Sequence, residues 1–324
     1  MDKQPIRPAG ETKAAAGAPA RGRVRSPAGR RSLRGYLYLL PNFSGVVFFV
    51  LVPVVFSLVL SFCQWNLLTW PPRFVGFQNY TELLRDRDFW LYSFNTVFFM
   101  LGIPVGMVGA LMLAMLLNQE LRLRTLYRTI FFLPTFTAGV ALCMLWKWML
   151  NTEHGLINTS IVRLGELIGW GTGGVDWMGK WWPARFAFLL MGFWTGVGGY
   201  NMILYLAALQ NIDPELHEAA ELDGATWWGR FRHIIWPLVS PTTFFILIIS
   251  IIGGFQSGFE SVFILARGTP VESAVTTINY YIYTNAYQFY RMGYASAISW
   301  FLFVVVFVFT LIQWRYGRAM VHYD

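Results

Sequence analysis

Glu218-Ala219-Ala220-Glu221-Leu222-Asp223-Gly224-Ala225 is an acidic, alanine-rich run in a chain that is otherwise mostly apolar, and it continues through Phe231, Ile234 and Pro237-Leu238 to Pro241. Asp213 is a good N-cap, because its side-chain oxygen can accept from an orphan helix N–H. Pro214 suits the first helical position, where its missing N–H would be unpaired anyway. Leu216, Ala219, Ala220 and Leu222 then recur at helical spacing and give one narrow apolar face. Gly224 falls where a left-handed residue closes a helix. A second helix can start from Thr226, with Trp227, Phe231, Ile234 and Ile235 on one side, and Pro237 and Pro241 punctuate the return to apolar sequence. The pattern predicts two short amphipathic helices joined at a glycine and presented outside a bilayer. That is a docking shape.

The bilayer is implied by the rest of the chain. Its 324 residues are 56% hydrophobic, 18% aromatic and only 13% charged, whereas a soluble protein carries about a quarter charged residues. Six apolar stretches, at approximately 36–62, 92–117, 129–150, 184–210, 239–266 and 292–315, are each long enough for a hydrocarbon core of about 30 Å, which takes about 20 helical residues. Each span must satisfy its own backbone hydrogen bonds in lipid, so they are expected to be helices. The expected class is an all-α polytopic membrane protein with six transmembrane helices.

Residues 1–34 are rich in Ala, Gly, Pro and Arg and cannot bury enough apolar surface to order themselves, so a disordered basic tail is expected there. Residues 35–324 are expected to form one transmembrane domain carrying the loop 211–241. Nine of the 25 Lys and Arg lie in the tail, so the net charge of +8 does not imply nucleic acid. Arg30-Arg31 superficially fits a twin-arginine export signal and Leu60-Ser61-Phe62-Cys63 a lipoprotein cleavage site. The following apolar run is too long for a signal core, however, and Phe62 is too bulky before the cysteine. Arg122, Arg124 and Arg128 cluster in one brief connection; with the basic tail, they place both termini and the 211–238 loop in the cytoplasm by the positive-inside rule.

Several chemistries have no residues to carry them. No G-x-x-x-x-G-K-[ST] run occurs, so ATP cannot be held in the P-loop manner. His154, His217, His233 and His322 show no metal-ligand spacing, no H-E-x-x-H helix is present, and no serine sits in a G-x-S-x-G elbow. Cys63 and Cys143 support neither a disulfide framework nor a metal site. Neither an enzyme nor a resident cofactor is expected.

Polar groups inside the spans are the remaining signal. An ionisable residue there costs roughly 2.5–3.5 kcal/mol on insertion scales and usually faces a cavity or a partner. Gln256, Ser257 and Glu260 stand out in Gly253-Gly254-Phe255-Gln256-Ser257-Gly258-Phe259-Glu260 of the expected fifth span; for Glu260 a structural hydrogen bond to a neighbouring helix is the competing role. The fourth span offers Trp194, Gly196, Gly198, Gly199, Tyr200 and Asn201. The glycines suit close helix approach, and Trp194, Tyr200 and Asn201 suit a solute. Hydroxyl, amide and aromatic groups fit a sugar, which has many hydroxyls to pair and apolar ring faces to stack. Trp170, Trp177, Trp181 and Trp182 in the 151–183 loop read mainly as an interfacial belt.

Glu-Ala-Ala, Asp-Gly-Ala, then Phe, Ile and Pro-Leu at these spacings resemble the cytoplasmic EAA loop of ABC importer permeases, most closely the carbohydrate-uptake, maltose-type branch. Trp65-Asn66 with Gly76-Phe77-Gln78-Asn79-Tyr80, and Gly155-Leu156-Ile157-Asn158, are similar to that family's motifs in the corresponding outer loops. Residues 255–270 resemble its "FQxFDxVYxLTxGGP" segment, with Glu260 at the Asp position and Gly268-Thr269-Pro270 replacing the terminal GGP. Leu133-Pro134-Thr135 resembles its Leu-Pro break in the third span, which implies that Thr135 reaches the transport pathway. The resemblance covers roughly residues 36–315 and implies a type I ABC importer permease fold in a bacterial inner membrane. It further implies a coupling helix with Glu218, Ala219, Ala220, Asp223, Gly224, Ala225, Phe231 and Pro237 as its positional markers. The implied partners are a second homologous permease, two ATPase subunits that carry the ATP-Mg, and an extracytoplasmic solute-binding protein. The implied mechanism is alternating access. The alternative from another class is a secondary transporter or channel, which would have no use for the loop.

Overall fold

A computed structural model describes residues 38–68, 70–119, 122–137, 139–169 and 173–320; the 1–34 tail and Trp170 lie outside them. The chain divides into two compact units, Met1–Val54 and Val55–Asp324. The described part of the first is residues 38–54. They belong to a helix, α1, whose apolar span Tyr38–Ser61 leaves Phe43, Phe48 and Phe49 exposed.

In the second unit, α1 leads into a small antiparallel hairpin, β1 (Cys63–Gln64) with β2 (Arg73–Phe74), and then α2 (Gln78–Arg85). The long apolar helices that follow are α3 (Arg87–Asn118), the pair α4 (Arg124–Phe136) and α5 (Gly139–Met149), and α7 (Trp181–Gln210). Between α5 and α7 lies α6 (Leu156–Ile168). Beyond α7 come α8 (Pro214–Leu222) and α9 (Trp227–Gln256). The chain ends in short helices at 259–266 (α10), Glu272–Val275 (α11) and 278–288 (α12), and α13 (Met292–Met320). Five single helices are long and apolar enough to cross a membrane, and six spans result if the pair α4–α5 is one broken crossing. This is the expected set of spans.

Two boundaries differ from expectation, each for a local reason. The fifth span was expected over 239–266, but α9 stops at Gln256. The Ser257 hydroxyl turns back to the Gly254 carbonyl at 2.9 Å, and Gly258 adopts a left-handed φ of 95°. A side chain at Gly258 would meet Thr277 Oγ1 at 2.8 Å. Glu260 therefore sits on α10, which packs beside α5: Lys147 Nζ donates to the Ile264 carbonyl at 2.8 Å. At its other end α9 absorbs the second loop helix, so Pro237 and Pro241 lie within a helix and do not end one. A wide π turn at Phe231–Ile235 precedes them. The Pro237 carbonyl, which Pro241 cannot serve for want of an N–H, accepts the Ser240 hydroxyl at 2.7 Å.

Three apolar clusters hold the described part of the unit; the smallest joins Leu83 of α2 and Phe89 of α3 to Ile278, Tyr294 and Ile298, and the other two pack the long helices. Met107, Ala110, Leu111 and Ala114 of α3 meet Met202, Tyr205 and Leu206 of α7 and Val239 and Ile246 of α9. The α3–α7 contact is close because glycine faces glycine: a Cβ on Gly106 would lie 3.3 Å from the Gly196 Cα. The other core joins Cys143 and Trp146 of α5, Ala187 and Met191 of α7, and Val262, Leu265 and Val275.

Asparagines fasten the loops. Asn79 Nδ2 donates to the carbonyls of Ser61 and Cys63 at 2.8 and 2.9 Å. Asn158 Nδ2 donates to Thr152 and Val175 carbonyls at 3.0 and 2.9 Å, and its Oδ1 accepts from the Val175 N–H and Trp177 Nε1 at 3.1 and 2.9 Å. Trp177 is thus buried, not part of an interfacial belt. Trp181 and Trp182 are exposed and flank the Arg185 guanidinium at 5.7 and 5.6 Å.

Candidate functional site

The loop helix α8 is closed at both ends by its own residues. Asp213 Oδ1 accepts from the Glu215 N–H at 3.0 Å, and Pro214 takes the first helical position. At the C-terminus the Ala225 N–H reaches the Ala220 carbonyl at 2.9 Å and the Gly224 N–H the Glu221 carbonyl at 3.0 Å, with Gly224 at φ 74°. These paired bonds around a left-handed glycine satisfy the last carbonyls of the helix. Thr226 Oγ1 then accepts from the Gly229 N–H at 3.2 Å to start α9, and Arg230 pairs with Glu221 across the turn. The loop is built to hold its shape.

Its apolar face has no cover among the described residues. No residue of α8 is buried; Leu222 is 90% exposed, and Leu216, Trp227 and Trp228 are exposed as well. Glu218, Ala219, Asp223, Gly224 and Pro237 are exposed, and Ala220 and Ala225 are half-buried. Phe231 differs: with Ile234 and Ile235 it packs onto the buried cluster of Met202, Tyr205, Leu209 and Val239. Its position in the motif marks the root of the loop, which fixes α8 to the bundle.

The polar span residues gather around two clefts. The first, of about 370 Å³, is lined by Asn201, Ser257 and Glu260 together with Thr96, Thr195, Ser250 and Thr277, and by the rings of Phe99, Trp146 and Phe188. Glu260 is exposed, and among the described residues its carboxylate has no ion pair. Among the described residues no hydrogen bond ties it to a neighbouring helix. The second cleft, of about 400 Å³, brings together Thr135, Trp194, Tyr200 and Asn201 beside Gly198 and Gly199. Those two glycines admit α4: a Cβ at Gly198 would lie 2.6 Å from the Phe131 carbonyl oxygen, and one at Gly199 2.5 Å from Thr135 Oγ1. Asn201 and Thr195 line both clefts. Gln256 lines neither, and its backbone carbonyl accepts from Asn279 Nδ2 at 2.7 Å.

Thr96, Thr195, Ser250, Thr277 and Trp146 escaped the sequence reading. A lone hydroxyl in a helix can bond to a carbonyl of its own preceding turn, as Thr195 does with Met191 at 3.1 Å and Thr96 with Tyr92 at 2.8 Å. It therefore leaves no trace in the hydropathy pattern. Only the fold shows that these hydroxyls share a cleft.

Residues 102–321 match the family described as the binding-protein-dependent transport system inner membrane component. The chain belongs to that family. This permease is 35% identical over 294 residues to the lactose transport system permease protein LacF of Rhizobium radiobacter, covering 88% of this chain and 94% of the relative. To the trehalose/maltose transport system permease protein MalF of Thermococcus litoralis it is 31% identical, with 89% and 95% covered. Its fold matches a crystal structure of a bacterial ABC transporter involved in import of the acidic polysaccharide alginate, at a TM-score of 0.77 and 26% identity, covering 90% of the permease and 98% of that chain. The permease is a multi-pass inner-membrane transport component of the type I importer fold, not an enzyme. Among its described residues no cluster of His, Cys, Asp and Glu could hold a metal.

Proposed function

We propose that the permease is one membrane-spanning subunit of an ATP-driven, binding-protein-dependent importer for an oligosaccharide or sugar-like solute. The observation that carries this reading is α8, a helix capped at both ends whose apolar face is uncovered among the described residues. A helix closed at both ends transmits a push without unravelling. Its uncovered face fits a cleft on an ATPase subunit, one of two that carry the ATP-Mg absent from this chain. Glu218, Ala219, Ala220, Asp223, Gly224 and Ala225 form the contact, with Phe231 and Pro237 at its root. A second, homologous permease completes the pathway, and an extracytoplasmic solute-binding protein delivers the solute.

The clefts supply the pathway, with Thr135, Trp194, Tyr200, Asn201, Ser257 and Glu260 facing it and Gln256 standing at its margin. The lining of the first cleft is hydroxyl, amide and aromatic with one carboxylate, which suits a solute rich in hydroxyls. Relatives named for lactose, trehalose/maltose and arabinooligosaccharides support a sugar; one named for sn-glycerol-3-phosphate supports the wider sugar-like class. Transport runs by alternating access: closure of the ATPases moves the loop helices and turns the cavity outward, and ADP release returns it inward. Both termini and α8 lie in the cytoplasm. Purifying the detergent-extracted permease from its native membrane tests the reading. A P-loop ATPase and a second permease should co-purify; a permease that purifies alone and still carries solute without ATP would overturn it.

A further inference from the structure

We infer that the permease holds an anionic phospholipid headgroup on a basic cluster where three of its helices meet, at the edge that the proposed orientation places on the cytoplasmic side. Two guanidiniums converge there. With the Gln210 amide oxygen turned toward them, Arg124 and Arg128 each donate an Nη2 hydrogen bond to it, at 2.9 and 2.6 Å. Arg124 also donates from Nε to the Leu117 carbonyl at 2.8 Å and from Nη2 to Asn118 Oδ1 at 3.2 Å. The pair thus bridges the end of α3, the start of α4 and the end of α7.

Every one of these acceptors is neutral. Among the described residues neither guanidinium has a carboxylate within ion-pair distance, and Arg128 Nε is buried with no hydrogen-bond partner. Two like charges this close raise each other's energy until an anion joins them. A phosphate diester supplies that anion, with the oxygen geometry that forked guanidinium donors match. Leu126 and Tyr127 are exposed on the same helix, which places apolar surface for acyl chains beside the charge. Basic sites between membrane helices suit anionic headgroups. A lipid accounts for both halves of the surface at once. An acidic segment of a partner protein would account only for the charge.

Native mass spectrometry of the intact importer complex, released from membranes and titrated with phosphatidylglycerol or phosphatidylcholine, tests this without any transport assay. The wild type should retain phosphatidylglycerol selectively, and retention should fall about fivefold for R124Q or R128Q and further for the double variant. R124K/R128K keeps the charge without the fork and should fall between. Where the glutamine variants do not assemble, selective retention by the wild type that weakens with rising salt gives the same reading. Equal retention of the two lipids, or no difference between wild type and R124Q/R128Q, overturns the inference. Loss of the ATPase subunits from R124Q/R128Q with lipid retention unchanged would assign the pair to a protein contact instead. Absence of ATPase from every preparation, the wild type included, would count against the proposed function and leave the lipid result standing.

Discussion

Gly224 carries the geometry of the loop alone. Nothing lies within 4 Å of where its Cβ would be, so a substitution meets no clash; the strain comes from φ 74°, which costs a residue with a Cβ about 1–2 kcal/mol. Gly224→Val is expected to loosen the end of α8 and cut uptake several-fold, with membrane insertion intact and ATP hydrolysis persisting. Solute flux and phosphate release, measured together in proteoliposomes, check it; normal flux would show that the turn is not under tension. Glu260→Gln removes the one carboxylate of the first cleft and is expected to change the order of preference among neutral and charged solutes. Unchanged selectivity in competition uptake would relegate Glu260 to a bystander. Asp86 makes a pH prediction. Burial opposes its charge, but hydrogen bonds from Tyr281 and Tyr294 at 2.6 and 2.5 Å and from backbone N–H groups outweigh it and hold the carboxyl below its ordinary value. Burial and the Asp86 carboxylate push the Tyr281 phenol up, so the proton stays on the tyrosine. A depressed carboxyl stabilises the fold fully above its unfolded-state value and loses that contribution as pH falls through the folded one. The melting temperature should therefore fall as pH drops below about 4, the ordinary carboxyl value, and Asp86→Asn should flatten that slope.

At the scale of elements, the loop was legible because its signals are local. Asp213, Pro214, Gly224 and Thr226 act within a few residues, and each took the capping role its chemistry suggests. The spans were legible by length and hydropathy. What stayed hidden depends on contacts distant in sequence. Nothing in Gln256-Ser257-Gly258 distinguishes a helix that continues from one that stops, because Thr277 supplies the crowding. The merging of the loop's second helix into α9 was likewise obscured, since two prolines ordinarily break a helix and here a wide turn and Ser240 accommodate them. Asn158 shows the same lesson from the other side: its motif position was plain, but its role as a hub for four partners was not. Asn158→Ala strands the N–H groups of Val175 and Trp177, at about 1–3 kcal/mol for each buried group left unpaired. It should lower the melting temperature of the detergent-solubilised permease measured by Trp fluorescence, with Asn158→Asp intermediate.

Across the whole molecule, the residues that line the polar clefts and those of the exposed loop are separate sets. The orientation is open to direct measurement. Reporter enzymes fused within residues 119–123 and within the α6 segment should report cytoplasm and exterior respectively, and a cytoplasmic signal from α6 would invert the topology. Composition pointed to a membrane and the loop's motif to the family that the chain belongs to, but the pairing of cleft residues from α3, α5, α7, α9 and α10 could be read only from the fold.

The continuity of α9 bears on how force crosses the protein. Thirty residues at 1.5 Å each make a rod of about 45 Å, with Trp227 beside the loop at one end and Gln256 beside Ser257 and Gly258 at the other. Val239 and Ile246 pack against α3 and α7 between those ends. A tilt of about 10° about that point would swing each tip by about 4 Å, enough to widen or pinch a cleft the size of a sugar ring. Were α9 to pivot there, loop and cleft would move together with no relay of side chains between them.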